Sequence, residues 1–488
     1  MRREAPRWPT RVAGVATAAA VFVVGVALLA RGVAASNAAV GLSDAAGDAL
    51  AVPRWLYVAT GGAAIGASAL LAGFVTDRGF VAAIHRWRRD LGGGRVRRAA
   101  STAAGVVGVA LVASVIYRGF VGPQVSTVNF AVVVTFAGGR AGLTMATYLV
   151  GNVWPAVNPL RALDRLPTRI VAYPDRLGRW PALAGILLLV WVETTTGVTS
   201  RPDVLATAVV AYAVVAVAGA ILVGGDAWVR NADPIATAFR FYGRVAPLAW
   251  EGGRLTASIP GMRLVPDVDP DGNVAGRDEG GNAADRLVSG LDDVAIAVAL
   301  VWELTFSGFV TTEQGAAAVR AVAAVGIPPV AIYATLFLGG FAVFYGAFLG
   351  AARVATHRIR TTRSPRSLAV AFAPSLLIVA AGYHLAHYFG FFLSLSPSLA
   401  AALASPLSAP ANPTVFTLPA WVSALNIAFV LGGHLVAIWV AHSTAYRLFP
   451  SRLQAIRSQY PFVLVMIGYT AVSLWLISLP TASPAFLG

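Results

Sequence analysis

The chain has 488 residues, of which 57% are hydrophobic and 12% charged, with 49 Gly, 28 Pro and no Cys. A soluble chain carries roughly a quarter charged residues, so this composition excludes an ordinary globular domain and a disordered chain, and it points to an all-α, polytopic membrane protein. All 37 basic residues are Arg and the formal net charge is +15, which in a membrane protein is a topology signal first; no nucleic-acid partner is expected.

A spanning helix needs about 20 predominantly apolar residues. Eleven stretches qualify: Ala13 to Ala30, Leu56 to Val75, Ala99 to Tyr117, Thr127 to Val150, Trp180 to Gly197, Val204 to Gly224, Leu291 to Phe309, Pro329 to Gly350, Leu368 to Leu393, Leu418 to His442 and Pro461 to Leu479. The first is read as a retained helix; as a cleaved signal sequence it would leave ten spans. The expected fold is therefore one transmembrane domain of about eleven helices covering residues 1–488.

Arginine usage orients these spans. Of the 37 Arg, 31 fall in the alternate segments that begin with the N-terminus, five fall in the other set, and Arg140 lies within a span. Basic residues stay on the cytoplasmic side, so the N-terminus is expected inside and the C-terminus outside, in the cell (plasma) membrane. The lipid bilayer is the expected partner, with other membrane subunits as a further class.

One loop, Ala227 to Arg286, is long enough to hold structure. Its stretch from Thr237 to Val245 is amphipathic and is expected to lie on the inner membrane surface. It continues into an acidic linker containing Asp267, Asp269, Asp271 and Gly272, where Pro270 interrupts a weak likeness to a calcium loop.

Ionisable groups inside spans face the bundle interior or a water-filled cavity. Besides Arg140 they are Glu193, Glu303, His384, His387 and His434, with His442 near an inner end and read as interfacial. At about 1.5 Å per residue, Glu193, Glu303, His384 and His387 share a layer roughly 4 to 10 Å outward of the midplane. His384 and His387 are three apart and project from one helix face. Such a pair with two carboxylates is a first shell for Zn, Fe or Cu, and a haem ligated by His384 and His434 would need helix tilt. The alternative is ion pairing of the Glu residues with Arg140.

Gly138 and Gly139 precede Arg140, and Gly432 and Gly433 precede His434. Paired Gly near the midplane permits close backbone approach or a broken helix. Val190-Trp191-Val192-Glu193 and Val301-Trp302-Glu303 both end outward-running spans; if they form a repeat, the two Glu play matching roles. No P-loop, Gly-x-Ser-x-Gly elbow or His-Glu-x-x-His occurs in the chain.

The run from Asn129 to Leu163, ending Gly151-Asn152-Val153-Trp154-Pro155-Ala156-Val157-Asn158-Pro159-Leu160-Arg161-Ala162-Leu163, resembles a family of multi-pass proteins of actinobacteria and haloarchaea often labelled fenitrothion hydrolase. So do Tyr383-His384-Leu385-Ala386-His387 and the segment from Gly433 to His442. The similarity extends from about Ser43 to the C-terminus. Relatives carry a His-Gly pair where this chain has Ala35-Ser36-Asn37-Ala38, so a site built on a processed N-terminal histidine does not carry over. Hydrolysis, if the resemblance extends to it, implies a metal-bound water on His384, His387 and the Glu residues.

Three readings follow. In the first, Glu193, Glu303, His384, His387, Arg140 and His434 line an outward-opening pocket that binds a transition metal or haem. In the second, the chain is a secondary transporter in which Arg140 binds an anionic substrate and the Glu and His groups carry protons. In the third, it is a structural subunit of a membrane complex.

Overall fold

The computed structural model describes residues 54–92, 96–160, 169–251, 254–265, 287–408, 414–419, 421–477, 479–480 and 482–486. The first predicted span, Ala13 to Ala30, and the acidic run with Asp267, Asp269 and Asp271 lie outside them. Among the described residues, eight helices are long and apolar enough to cross a membrane, or nine if a bent pair counts as one span.

In chain order, α1 (Arg54–Phe74) turns through 113° into α2 (Arg78–Arg86). Strand β1 (Arg88–Gly92) leads to α3 (Val96–Val121), α4 (Phe130–Val150) and the single turn α5 (Trp154–Val157). Next come α6 (Trp180–Thr195), α7 (Pro202–Val223), α8 (Gly225–Asn231) and α9 (Pro234–Gly243). Strands β2 (Leu248–Glu251) and β3 (Arg254–Ser258) precede α10 (Leu291–Val310), α11 (Glu313–Ala323) and α12 (Pro329–Ile359). The chain finishes with α13 (Pro365–Phe372), α14 (Pro374–Ala404), α15 (Trp421–Leu448) and α16 (Arg452–Ile477). Every predicted span from Leu56 onward falls on a helix. Two are not simple membrane-length rods: the bent α1–α2 pair, and α6, whose 16 residues reach only about 24 Å.

The largest boundary shift is in α14. The sequence ends this span at Leu393, before Ser394 and Pro397, yet the helix continues to Ala404. Pro397 removes the hydrogen bond to the Leu393 carbonyl, and the Ser396 hydroxyl takes its place at 2.8 Å. His384 therefore lies before the midpoint of α14, level with Glu303 of α10, which it contacts.

α10 and the α13–α14 segment are the most buried spans and form the middle of the bundle. α14 crosses α15 at a pair of glycines: a Cβ on Gly433 would lie 2.9 Å from the Cα of Gly382 and 3.0 Å from the carbonyl oxygen of Ile378. Gly432 faces open space. This glycine pair thus serves a close helix crossing, and α15 runs unbroken through it. The other pair differs, since Gly138 and Gly139 lie in a π-helical segment, Val133–Leu143, at the centre of α4.

Segments distant in sequence meet at one end of the bundle. β3 pairs antiparallel with β2 and with β1, giving sheet order β1-β3-β2 with Arg88 opposite Ser258. Arg78 donates to the carbonyls of Tyr446, Phe449 and Pro450 at 2.6 to 2.7 Å, closing the end of α15. Arg179 pairs with Asp293 at 2.7 Å, and its backbone N–H donates to Asp292 at 2.6 Å, at the start of α10. At the opposite end, Glu313 N–H donates to the Pro480 carbonyl and Ala482 N–H to that of Thr311, both at 2.9 Å.

The amphipathic stretch after Thr237 is not a surface helix. It belongs to α9, in which Phe239, Phe241 and Tyr242 are all buried against α4, α6 and α14. The expectation of an exposed interfacial helix is corrected: the apolar face meets protein. Asp233 caps the helix, accepting from Ala236 N–H at 2.8 Å and from the Tyr212 hydroxyl at 2.9 Å, with Pro234 in the first turn. Burial pushes the Asp233 carboxyl up from its ordinary range, while these hydrogen bonds pull it back.

Candidate functional site

Arg140 comes from the π-helical part of α4. A π segment arises as an insertion into an α-helix, and such insertions are frequent at functional sites. Its guanidinium is shared by two carboxylates. Nε lies 3.2 Å from Oε2 of Glu193, in the last turn of α6, and Nη2 lies 3.0 Å from Oε2 of Glu303 on α10. The Tyr388 ring sits 5.3 Å from the guanidinium carbon, a cation–π contact.

Glu303 also contacts Nε2 of His384 through its other oxygen, and Nδ1 of His384 lies 2.6 Å from the Tyr148 hydroxyl. The imidazole is fixed by aromatic rings as well. Tyr388 stacks on it at 5.4 Å and Tyr242 of α9 meets it edge-on at 5.2 Å. The hydrogen-bonded line runs Glu193, Arg140, Glu303, His384, Tyr148.

Exposure falls along that line. The side chains of Glu193 and Arg140 are 30% and 24% exposed, whereas Glu303 is at 4% and His384 at 0%. Beyond Tyr148, a run of rings closes the site: Tyr148 and Tyr242 are 5.0 Å apart, Tyr242 and Phe239 5.7 Å, and Phe239 and Trp154 5.2 Å. Trp154 is half-buried and stacks on Phe239.

Glu193 and Glu303 both hold Arg140, and Glu303 alone also bonds His384. The companion tryptophans match: Trp191 packs on Phe337 and Trp302 on Phe344, both of α12. Thr194, Thr195 and Thr196 after Glu193 are accounted for locally, each hydroxyl donating to the carbonyl four residues back at 2.7 to 2.8 Å.

The remaining histidines divide. His387 is half-buried and lies within electrostatic range of Arg140, His384 and Glu303, one turn from His384. His434 is elsewhere: its Nδ1–H donates to the Val430 carbonyl at 2.7 Å, and Nε2 is 2.5 Å from the Thr470 hydroxyl. His442 is buried rather than interfacial. Its Nε2–H donates to the Val75 carbonyl at 2.9 Å, at the α1–α2 bend, and its ring also contacts Gln459.

A metal or haem does not fit these side chains as they stand. Both nitrogens of His384 and of His434 have partners, and both carboxylates are held by Arg140. Among the described residues, no three His, Asp or Glu side chains converge on one point.

The cluster's chemistry follows from its charge. One cation and two carboxylates leave a formal charge of −1 when His384 is neutral. A buried carboxylate pair is costly unless balanced, and at an effective dielectric of 20 two unit charges 4 Å apart interact by about 4 kcal/mol. The arrangement can therefore take up one proton.

Tyr148, Tyr242 and Tyr388 complete the site and have no distinguishing signal in the sequence. Tyr388 directly follows His387, and Tyr148 lies two turns after Arg140, but Tyr is common near the ends of spans. No family model, curated protein or solved structure matches the chain.

Proposed function

We propose that the chain is a secondary transporter of the cell membrane whose proton site is the cluster of Arg140, Glu193, Glu303 and His384. The observation that carries this reading is the single Arg140 shared by two glutamates, one of which is hydrogen-bonded to a buried histidine. Buried ionisable groups near the middle of a bundle mark ion pathways and proton relays. The π-helical interruption of α4 at Arg140 resembles in kind the discontinuous helices that line transporter sites.

The topology that accompanies this reading has eleven crossings, with the N-terminus in the cytoplasm. The bent α1–α2 pair and the short α6 each count as one crossing, with one more before Arg54. The sheet end is cytoplasmic. Two observations support this: the arginine distribution, and the joining of β1 with β2 and β3, which come from segments that distribution places on the same side.

The reading is tested in proteoliposomes loaded with a pH-sensitive dye, under a potassium diffusion potential. Wild-type protein should pass protons, and Glu303→Gln and His384→Ala should lower the flux at least about tenfold. Equal flux in the variants would overturn the reading. Stoichiometric metal or haem in the purified protein, lost in His384→Ala, would replace it with a metal or haem site on these residues.

A further inference from the structure

We propose that Tyr148 is the inner-side proton relay of this site, the residue through which His384 exchanges protons with the cytoplasmic end. The inference rests on the proton-site reading above and adds a direction and a residue to it.

The argument begins with the tautomer. A carboxylate only accepts, so with Glu303 ionised it is Nε2 of His384 that donates to it. Nδ1 of the neutral imidazole is then an acceptor, and the group facing it at 2.6 Å is the Tyr148 hydroxyl, which donates. The three side chains form one directed chain, Tyr148 O–H to Nδ1 and Nε2–H to Glu303. Moving every proton one place along it breaks the Tyr148 O–H and Nε2–H bonds and forms Nδ1–H and a protonated Glu303. A hydronium ion from the cytoplasmic end then returns a proton to the tyrosine oxygen and leaves as water, when the run of Tyr242, Phe239 and Trp154 rings that closes this side parts. Inward movement uses the same bonds in reverse, so charge and atoms balance in both directions.

Position supports the role. Glu303 faces Arg140 and the partly exposed Glu193, while Tyr148 is two residues from the end of α4 and beside α9, which belongs to the segment carrying the cytoplasmic sheet. Tyr148 is 3% exposed, so its hydroxyl has few partners to choose from. The titratable groups packed around it are His384 and Tyr388 of α14, Tyr242 of α9, Glu303 of α10, and Arg140 of its own helix. Tyr242 packs against Tyr148 by its ring, and the imidazole hydrogen bond belongs to Tyr148.

The test uses Tyr148→Phe, which keeps the ring packed against Tyr242 and His384 and removes the hydroxyl. In the proteoliposome assay its flux should fall at least about tenfold and become limited by pH on the cytoplasmic face. Replacement of Tyr148 by difluorotyrosine, which preserves the ring and acidifies the hydroxyl, should shift the pH profile of the flux to lower pH. Unchanged flux in Tyr148→Phe, or an unshifted profile with difluorotyrosine if the Phe variant does not fold, would overturn the role of Tyr148 and leave the proton site standing. Absence of flux in the wild type would remove both.

Discussion

Glu193 and Glu303 share one cation, Arg140, but from different surroundings: Glu193 is 30% exposed and Glu303 is 4% exposed. Removing the exposed carboxylate and removing the cation that Glu303 depends on should therefore have unequal effects. Glu193→Gln removes a partner that solvent can replace and should cost under about 1 kcal/mol. Arg140→Gln leaves Glu303 with no cation and should cost about 3 to 5 kcal/mol, largely restored in the double variant Arg140→Gln, Glu303→Gln. Thermal unfolding in detergent measures all three. Equal losses for the two single variants would contradict the assignment of Glu303 as the buried member.

The crossing at Gly382 and Gly433 gives a sharper contrast within one dipeptide. A methyl at Gly433 meets the backbone of α14, so Gly433→Ala should destabilise by about 1 to 3 kcal/mol. Gly432→Ala adds a methyl where nothing lies within 4 Å and should be neutral or slightly stabilising, because Ala favours the helix. The same unfolding assay decides between them.

His434 and His384 should separate by phenotype. His434 is bonded to the Val430 carbonyl and the Thr470 hydroxyl, so His434→Gln should lower stability and leave proton flux per folded molecule intact. His384→Gln should abolish the flux with a smaller change in melting temperature than Arg140→Gln. Flux lost in His434→Gln with folding preserved would place His434 in the pathway.

Asp233 supplies a pH dependence with a defined sign. Burial raises its folded-state pKa above the ordinary value, so the folded protein binds the proton more tightly than the unfolded chain. Its contribution is then most favourable at low pH and weakens as pH rises through the ordinary and then the raised value. Asp233→Asn keeps an acceptor for the Ala236 N–H and carries no buried charge. The variant should match or exceed wild-type stability at neutral pH, and the wild type should gain on it as pH falls into the acidic range. A gap moving the other way would show that the ionised carboxylate is the favoured form in the fold.

Much of the site was legible in the sequence because charge is so rare in these spans. Arg140, Glu193, Glu303 and His384 stand out in any listing of ionisable residues within apolar stretches, and the structure brings these four together. The shared layer expected for Glu193, Glu303 and His384 agrees with their contacts, since Arg140 joins the two carboxylates and Glu303 bonds His384. His434 shares their polarity but not their expected layer, and it lies elsewhere, bonded to Val430 and Thr470. α9 was read as a surface helix because its alternation fits equally a lipid headgroup layer and a protein groove. Tyr148 and Tyr242 carry no formal charge, so nothing in the sequence set them apart from tyrosines that anchor the ends of spans.

The small sheet has a consequence for how the protein is made. β2 and β3 are neighbours and can pair as soon as both have left the ribosome, whereas β1 waits for β3 while α3, α4, α6 and α7 are made. Its strand edge has no partner in the sheet until β3 is made. Pairing of Arg88 with Ser258 is thus a late step that fastens the first helices to the middle of the chain, and it sets the earliest point in synthesis at which this face of the protein can be finished.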